Sequence, residues 1–379
     1  MKLLYVFTSS QSSFYFMAGQ FEYLSDNGFN LTILLPNDGF ANKVRERLPT
    51  VDVRIIPIER KIKPVSDLKA LFSIMRHIAS INPDIIHLHT PKAGLLGGLA
   101  AKFLLKKNVV FHLHGLVSVN GGKVTTGLTY KFEKLSLTLA DKVLAVSPSL
   151  KSFCIENDLV KAEKIEVLNN GTINGIDYNG KFSDKQALYA TELRNTLNLN
   201  NRFVLGFLGR VNEDKGIRSL IEVYRLLFKE HSNVSLCIVG PNELPVSIES
   251  LFEPNELGNV LIIDRVESPE HYLKMFDLQL FLSVREGFGL ALAEASAVGT
   301  PSVAYDIFGI KDAIKNGTTG TLVPFNDHAA IVAACDAYIT SPELLQEHST
   351  NGVKYIQDNF TQEDIWQAQK EFYLRLLNK

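Results

Sequence analysis

The chain has 379 residues, which is too long for one ordinary core and predicts two domains. Its 46% hydrophobic and 21% charged residues exclude a disordered or fibrous protein. The net charge of −2 is unevenly distributed: residues 1–198 hold 24 Lys and Arg against 17 Asp and Glu, a balance of +7, and residues 199–379 have a balance of −9. A basic half is compatible with scattered solvated charges and with contact to an anionic membrane surface.

Cysteine usage and hydropathy predict the compartment. Three cysteines, Cys154, Cys237 and Cys335, lie far apart without metal-ligand spacing, so we expect buried thiols in a reducing environment. The apolar run of MKLLYVFTSS is too short for a secretory signal and predicts a buried first strand. No stretch reaches the roughly 18 apolar residues of a spanning helix. The expected localisation is cytoplasmic.

The first half alternates short apolar runs with segments of helical spacing. One such segment, SDLKALFSIMRHIASI, is predicted to begin at Ser66 as N-cap and to end at Asn82-Pro83, and a second is TTGLTYKFEKLSLTLA. Strands that are apolar on both faces and alternate with helices indicate a parallel sheet covered on both sides. The predicted strands are KLLYVFT, LTILLP, VDVRIIPI, IIHLHT, VVFHLHG, KVLAVS and IEVLNNG.

A second α/β series begins at Phe203, so the fold class is α/β with two tandem Rossmann-like doubly wound domains. The polar segment 179–201 separates them, and we place the domains at 1–200 and 201–360. Residues 361–379 form a last helix, with the only tryptophan, Trp366, predicted to pack back toward the N-terminal domain. The strands of this second series are FVLGFLG, VSLCIVG, NVLIIDRV, LQLFLSV, PSVAYD and TLVP.

The turn GFLGRVNEDKG carries two cations between a strand and a helix. Ligands of open α/β sheets bind beyond the carboxyl ends of the strands. Arg210 can fork onto phosphate oxygens, and Lys215 can act as a point charge beside a helix N-terminus. The alternative is a solvated loop, because charged turns are common. The residue types favour a diphosphate site.

The stretch EGFGLALAE follows another strand. We predict a helix from about Gly289 to Val298, whose first N–H groups, at Gly289 and Leu290, are free to bind an anion. Glu286 precedes that helix, and Glu294 lies inside it among Ala and Leu. Glu286 as a helix cap and Glu294 as a surface ion-pair partner are the alternatives. A buried carboxylate at Glu294 needs partners.

HLHT and HLHG end two N-terminal strands, and alternation turns both histidines of each pair to one face. We expect these positions to be polar because water reaches strand ends, and we predict no metal, since no acidic residue or cysteine lies nearby in sequence. His114 is the foremost candidate to line a cleft, because Gly115 lets a ligand approach. Nucleophile-elbow, Walker A and GxGxxG motifs are absent, which weakens hydrolase, P-loop and dehydrogenase interpretations.

Together, the GR and KG of the 206–216 turn and the Glu-Gly-Phe-Gly-x4-Glu motif resemble the retaining, nucleotide-sugar-dependent glycosyltransferases of family 4, which have the GT-B fold. The segments HTPKAGLLGGLAAK and NNGTINGID resemble the bacterial branch that builds capsule, O-antigen and other lipid-linked glycans. The loop TSSQSSFYFMAG departs from the glycine-rich loop of many relatives.

The resemblance implies a role for each site residue. Arg210 and Lys215 neutralise the donor diphosphate, Glu294 accepts from the ribose and Glu286 from the transferred sugar. The cradle is completed by backbone amides of Phe288, Gly289 and Leu290, and His114 acts on the sugar from the other domain. It also implies a UDP-sugar as co-substrate and no metal or other cofactor.

The expected function is therefore transfer of a sugar, with retention, to a lipid-linked or growing surface-polysaccharide acceptor, such as an undecaprenyl-linked glycan. A nucleotide-sugar epimerase is the alternative enzyme, and a non-catalytic nucleotide-sugar-binding subunit is a third interpretation. No nucleic acid partner is expected. Peripheral contact with the inner face of the cell membrane is predicted through two basic clusters, Arg60, Lys61 and Lys63, and Lys102, Lys106 and Lys107.

Overall fold

The computed structural model describes residues 1–125 and 127–378, except for the side chain of Asp184. Thr126 of the second predicted helical segment and Lys379 of the predicted last helix lie outside the described residues. The chain forms two compact units. The first contains residues 1–119, 124–175 and 362–379, and the second contains residues 120–123 and 176–361.

The elements of the first half alternate as expected. The strands are β1 Lys2–Val6, β2 Asn30–Pro36, β3 Asp52–Ile56, β4 Ile85–His89, β5 Val109–Leu113, β6 Val119–Asn120, β7 Lys123–Val124, β8 Lys142–Ala145 and β9 Ile165–Glu166. The helices are α1 Ser10–Phe16, α2 Gln20–Asp26, α3 Ala41–Arg47, α4 Pro64–Ile81, α5 Pro91–Phe103, α6 Leu128–Leu139 and α7 Pro148–Glu156.

Seven of these strands form one parallel sheet in the order β3-β2-β1-β4-β5-β8-β9. The direction of strand addition reverses between β1 and β4, and right-handed crossovers then place α4, α5 and α6 on one face of the sheet. Helix α4 does not begin as predicted: its N-cap is Lys63 and Pro64 occupies the first turn. Proline is favoured there because its missing N–H needs no partner, so Ser66 is not the cap.

The elements of the second half form the other unit. The helices are α8 Ala187–Thr196, α9 Ile217–Glu230, α10 Pro269–Met275, α11 Leu290–Ala297, α12 Ile310–Ala313, α13 His328–Thr340 and α14 Pro342–Asn359. The strands are β10 Phe203–Leu208, β11 Val234–Val239, β12 Val260–Ile263, β13 Leu278–Phe281, β14 Ser302–Tyr305 and β15 Thr321–Val323. They form a parallel sheet in the order β12-β11-β10-β13-β14-β15.

The segment that we placed before a boundary near residue 200 packs within the second unit. Helix α8 carries Arg194, whose guanidinium donates to Met275 O at 2.8 Å and forms an ion pair with Asp277 at 2.6 Å. These contacts join helix α8, which precedes residue 200, to the C-terminal end of α10. The long segment of the second unit therefore starts at Ile176 and not near residue 200.

The C-terminal helix α15, Gln362–Leu377, belongs to the first unit. Trp366 Nε1 donates to Asn174 Oδ1 at 2.7 Å. The hydroxyl of the buried Tyr373 lies 2.6 Å from Tyr5 Oη and 2.5 Å from His87 Nδ1. The last helix therefore supplies polar groups to the interior of that unit.

Two further predictions concern the cysteines and membrane-spanning helices. All three cysteines are free and buried, as predicted. Within the described part of the chain, none of the helices combines the length and the apolar character that crossing a bilayer demands.

Candidate functional site

The sheet topology of the second unit brings two loops together. Strands β10 and β13 are neighbours, and successive strands are added outward from them in opposite directions. Ligands of open α/β sheets bind at such a reversal, beyond the carboxyl ends of the strands. The loops that leave β10 and β13 contain residues 209–216 and 282–289, so the two motifs singled out in the sequence meet at one edge.

The first loop is held in place by two local devices. Asn212 Oδ1 accepts from Lys215 N at 3.2 Å, which caps a single 3₁₀ turn over Glu213–Lys215. Gly216 then takes a left-handed conformation with φ of 68°, and a Cβ there would lie 2.0 Å from Leu282 O. Only glycine allows the start of α9 to approach the end of β13 so closely.

Lys215 and Glu286, far apart in sequence, form an ion pair. Their side chains are 21% and 15% exposed, so the pair lies at the partly buried bottom of the loops. Lys215 Nζ also lies 5.3 Å from the ring centroid of Phe281, which adds a cation–π contact. An ammonium and a carboxylate are thereby fixed side by side at the carboxyl edge of the sheet.

Arg210 lies on the more open side of the same loop. Its guanidinium is 49% exposed and pairs with Glu243 at 2.8 Å. Glu243 also accepts from Asn212 Nδ2 at 2.8 Å, so this carboxylate organises the loop. Sequence reasoning missed Glu243, because nothing near it in sequence marks it as a partner of the 206–216 turn.

A second missed pair supports both loops. Arg285 Nη2 lies 2.5 Å from Asp214 Oδ2, and Val284 N donates to Asp214 O at 2.9 Å. These contacts join the residues immediately before Lys215 and Glu286. The distance between Lys215 and Glu286 is therefore set by this hydrogen-bonded framework as well as by the attraction between their charges.

Helix α11 begins at Leu290, with Gly289 as its N-cap at φ of 75° and no side-chain cap. Glu286 is therefore not the residue that caps this helix. The first N–H groups of the helix have no intrahelical acceptors, and the helix dipole favours an anion there. Phe288 turns its side chain inward: it is 5% exposed, and its ring packs 5.1 Å from that of Phe360. Only its backbone is available to a ligand.

Glu294 lies in an environment that disfavours its charge. Its side chain keeps some exposure, but burial raises the pKa of the carboxyl to about 7, with Lys181 lowering it and Glu270 raising it. Lys181 Nζ is 3.6 Å from Glu270 Oε2. Lys181 is therefore an ion-pair partner of Glu270 and also acts electrostatically on Glu294. The burial that raises this pKa disfavours the alternative of a solvated ion pair on the helix surface.

The histidines of the first unit are placed differently from our expectation. His87, His89 and His112 are at most 3% exposed, so the prediction that water reaches these strand ends is wrong for them. Their rings stack across neighbouring strands, with His87 and His112 centroids 5.3 Å apart at an interplanar angle of 5°. Burial, the largest cause, holds the pKa of His87 at about 3, so its ring is neutral.

His114 is partly exposed, and its Nε2 lies 3.0 Å from His89 Nδ1. Burial lowers its pKa to about 4, so it is neutral near pH 7. The other three histidines offer nitrogens that lie within 4.8 Å of one another. Zinc with bonds of about 2.1 Å needs its ligand nitrogens about 3.4 Å apart, so this geometry alone does not assign a metal.

Two family descriptions match the chain. "Glycosyltransferase Family 4" matches residues 19–173, and "Glycosyl transferases group 1" matches residues 190–355. The second range contains every predicted donor-site residue, and the first contains His114. The resemblance inferred from the motifs is confirmed.

Individual proteins are similar over their full length. The capsular polysaccharide biosynthesis glycosyltransferase CapM of Staphylococcus aureus is 31% identical, and the alignment covers 100% of this chain and 98% of CapM. An Escherichia coli UDP-Gal:alpha-D-GlcNAc-diphosphoundecaprenol alpha-1,3-galactosyltransferase is 25% identical, and the alignment covers 88% of this chain and 85% of that enzyme. The crystal structure of Anabaena HepE in complex with UDP superposes with a TM-score of 0.77 at 21% identity, covering 98% of this chain and 99% of that one. The chain therefore belongs to the GT-B glycosyltransferases and combines a family 4 glycosyltransferase domain with a group 1 glycosyl transferase domain.

Proposed function

We propose that this glycosyltransferase moves a sugar, with retention of anomeric configuration, from a UDP-sugar to a lipid-linked or growing surface-polysaccharide acceptor. The observation that carries the proposal is the Lys215–Glu286 pair beside the uncapped N-terminus of α11. Similarity to a capsular polysaccharide glycosyltransferase and to an enzyme named for a UDP-Gal donor and a diphosphoundecaprenol acceptor supports the donor and acceptor classes.

The diphosphate is assigned to the positive end of this arrangement. Lys215 and Arg210 neutralise its charge, and the backbone amides of Phe288, Gly289 and Leu290 donate to its oxygens. Breaking the glycosidic bond leaves UDP as an anion, and groups fixed beforehand around it stabilise the developing charge. Because the side chains and the helix supply this positive charge, the proposal includes no metal or other cofactor.

The two glutamates are assigned to different parts of the donor. Glu286 is held by Lys215 next to the diphosphate, so it is proposed to accept hydrogen bonds from hydroxyls of the transferred sugar. Glu294 lies farther along α11 and is proposed to accept from the ribose. Ribose hydroxyls are hydrogen-bond donors that favour the ionised carboxylate, which offsets the burial that raises the pKa of Glu294.

His114 is the residue of the first unit that we include in the reaction. Its ring is held through the 3.0 Å contact with His89. A neutral imidazole can donate or accept a hydrogen bond to a sugar hydroxyl without adding charge. We further propose that the enzyme works in the cytoplasm, on the inner face of the cell membrane, with its two basic clusters near anionic lipid.

The test is a transfer assay with UDP-, GDP- and ADP-sugars and an undecaprenyl-diphosphate-linked acceptor. We expect UDP release that depends on the acceptor, and an NMR spectrum of the product that shows the donor's anomeric configuration. Lys215→Ala should abolish release, and Lys229→Ala, an exposed lysine at the far end of α9, should not. An inverted product would refute retention, and a C2-epimerised sugar formed without acceptor would establish the epimerase alternative.

A further inference from the structure

Helix α4 presents large apolar side chains to solvent. Val65, Leu68 and Phe72 are 72%, 53% and 61% exposed. Their spacing of three and four residues places them on one helix face, while the opposite face, with Ala70, Ile74 and Ile78, is buried. A helix that needed only to cover the sheet would carry polar residues on its outer face. The exposed stripe therefore calls for a partner.

Positive charge borders this stripe. Lys69 and Arg76 are exposed on the same face of α4. The nearby acidic residues are already neutralised: Asp52 pairs with Arg54 at 2.7 Å, Glu59 with Lys63 at 2.5 Å, and Asp67 with Lys92 at 2.7 Å. Arg60 and Lys61 add two further cations immediately before the helix. The surface around the stripe therefore has an excess of positive charge.

A shallow recess lies beside the stripe. Phe72, Arg76 and His77 of α4 line it together with Arg54 of β3. Arg54 Nη1 lies 3.3 Å from His77 Nδ1. Burial lowers the pKa of His77, and the charges of Arg54 and Arg76 lower it further. The guanidinium of Arg54 is occupied by Asp52 and His77. The exposed guanidinium of Arg76, next to an exposed aromatic ring, is suited to a phosphate whose attached chain is apolar.

The end of α5 carries a second group of exposed apolar and basic side chains. Phe103 and Leu105 are 66% and 86% exposed, and the exposed Lys102 and Lys107 flank them in sequence. Lys106 Nζ donates to Asn82 Oδ1, which joins the end of α5 to the residue that ends α4. Exposed apolar and basic side chains thus occur on both of these neighbouring helices of the first unit.

We infer that this surface, composed of Val65, Leu68, Lys69, Phe72 and Arg76, inserts its apolar side chains shallowly into an anionic phospholipid bilayer, with Arg76 on a lipid phosphate. The inference rests on the peripheral membrane contact of the proposed function and deepens it, because charge alone requires no exposed Phe or Leu. Apolar side chains between cations match the interface of an anionic membrane, where both kinds of group are accommodated. A protein partner is the competing occupant.

The test uses the full chain without donor or acceptor, so its result does not depend on the transfer reaction. The probes are vesicles of phosphatidylcholine with phosphatidylglycerol and vesicles of phosphatidylcholine alone. We expect sedimentation with the anionic vesicles only, weakened by salt. Leu68→Glu/Phe72→Glu should weaken binding more than about tenfold, and Arg76→Glu about fivefold or more. The control is Leu188→Glu, which replaces an exposed leucine on α8 (67% exposed, against 53% for Leu68) and should bind as the parent does.

Insertion is measured separately from attachment. A Phe72→Trp variant should lose fluorescence on vesicles that contain brominated lipid, whereas a Leu188→Trp variant should not. Circular dichroism checks that every variant is folded, as expected for exposed positions. Equal sedimentation of the double variant and the parent, or attachment of Phe72→Trp without quenching, would overturn the inference. Failure of the parent to bind either vesicle would overturn it in favour of a protein partner and would leave the transfer assay unaffected.

Discussion

Replacing Glu294 with glutamine should stabilise the protein above neutral pH and weaken donor binding. Burial raises the pKa of this carboxyl from its ordinary 4.5 to about 7. Because raising a pKa by one corresponds to about 1.4 kcal/mol, ionising Glu294 in the folded state costs about 3 kcal/mol. Because the pKa is raised in the folded state, the contribution of Glu294 to the free energy of unfolding is most favourable below pH 4.5, where the carboxyl is protonated. That contribution is lost as the pH rises to 7 and stays lost above it.

The measurement is urea denaturation of the parent, Glu294→Gln and Glu249→Gln, an exposed control, at pH 5 and pH 8. The free energy of unfolding of Glu294→Gln relative to the parent should rise by about 2 kcal/mol between the two pH values. Any constant effect of the amide cancels in this difference. The control should show no such change. If the free energies of unfolding of Glu294→Gln and the parent differed by the same amount at both pH values, the raised pKa would be refuted.

The same group predicts how donor binding depends on pH. If ribose hydroxyls require the ionised carboxylate, UDP should bind the parent about tenfold more weakly at pH 6 than at pH 8, since a pKa near 7 leaves about a tenth of Glu294 ionised at pH 6. Calorimetry with Glu294→Gln gives the part of the dependence that comes from UDP itself. A dependence of the same size in both proteins would refute the ribose assignment.

Three further outcomes are expected. Lys215→Ala should weaken UDP binding by about 2 kcal/mol or more by calorimetry, because it removes a partly buried cation and leaves Glu286 without its partner; unchanged affinity would contradict the diphosphate assignment. Glu286→Ala should lower kcat while UDP affinity stays nearly intact, since its contact is to the sugar, and an equal loss of UDP binding in Glu286→Ala and Glu294→Ala would refute that division. Tyr373→Phe should destabilise the protein by about 1 to 3 kcal/mol in urea denaturation, because it leaves Tyr5 and His87 short of a buried hydrogen-bond partner; a stability equal to the parent's would show that water replaces the hydroxyl.

The local sequence determined much of the donor side. The apolar runs LQLFLSV and PSVAYD, with Gly289 and Gly299 between them, predicted a strand, a short helix and another strand, and α11 runs from Leu290 to Ala297 as those signals indicated. Such features depend on residues within a few positions of one another, where spacing and backbone preferences act directly. The N-cap of α4 was predicted three residues late, at Ser66 instead of Lys63, since Pro64 is a stronger start signal than Ser66.

Only the tertiary structure decided which distant groups meet. The pairing of Lys215 with Glu286 and of Arg210 with Glu243 follows from the order in which parallel strands are added to the sheet. The burial of His87 depends equally on a helix near the other end of the chain, which carries Tyr373. Contacts of this kind leave no periodic signal in the sequence, because the free energy that holds them comes from packing and hydrogen bonding between elements that are distant along the chain.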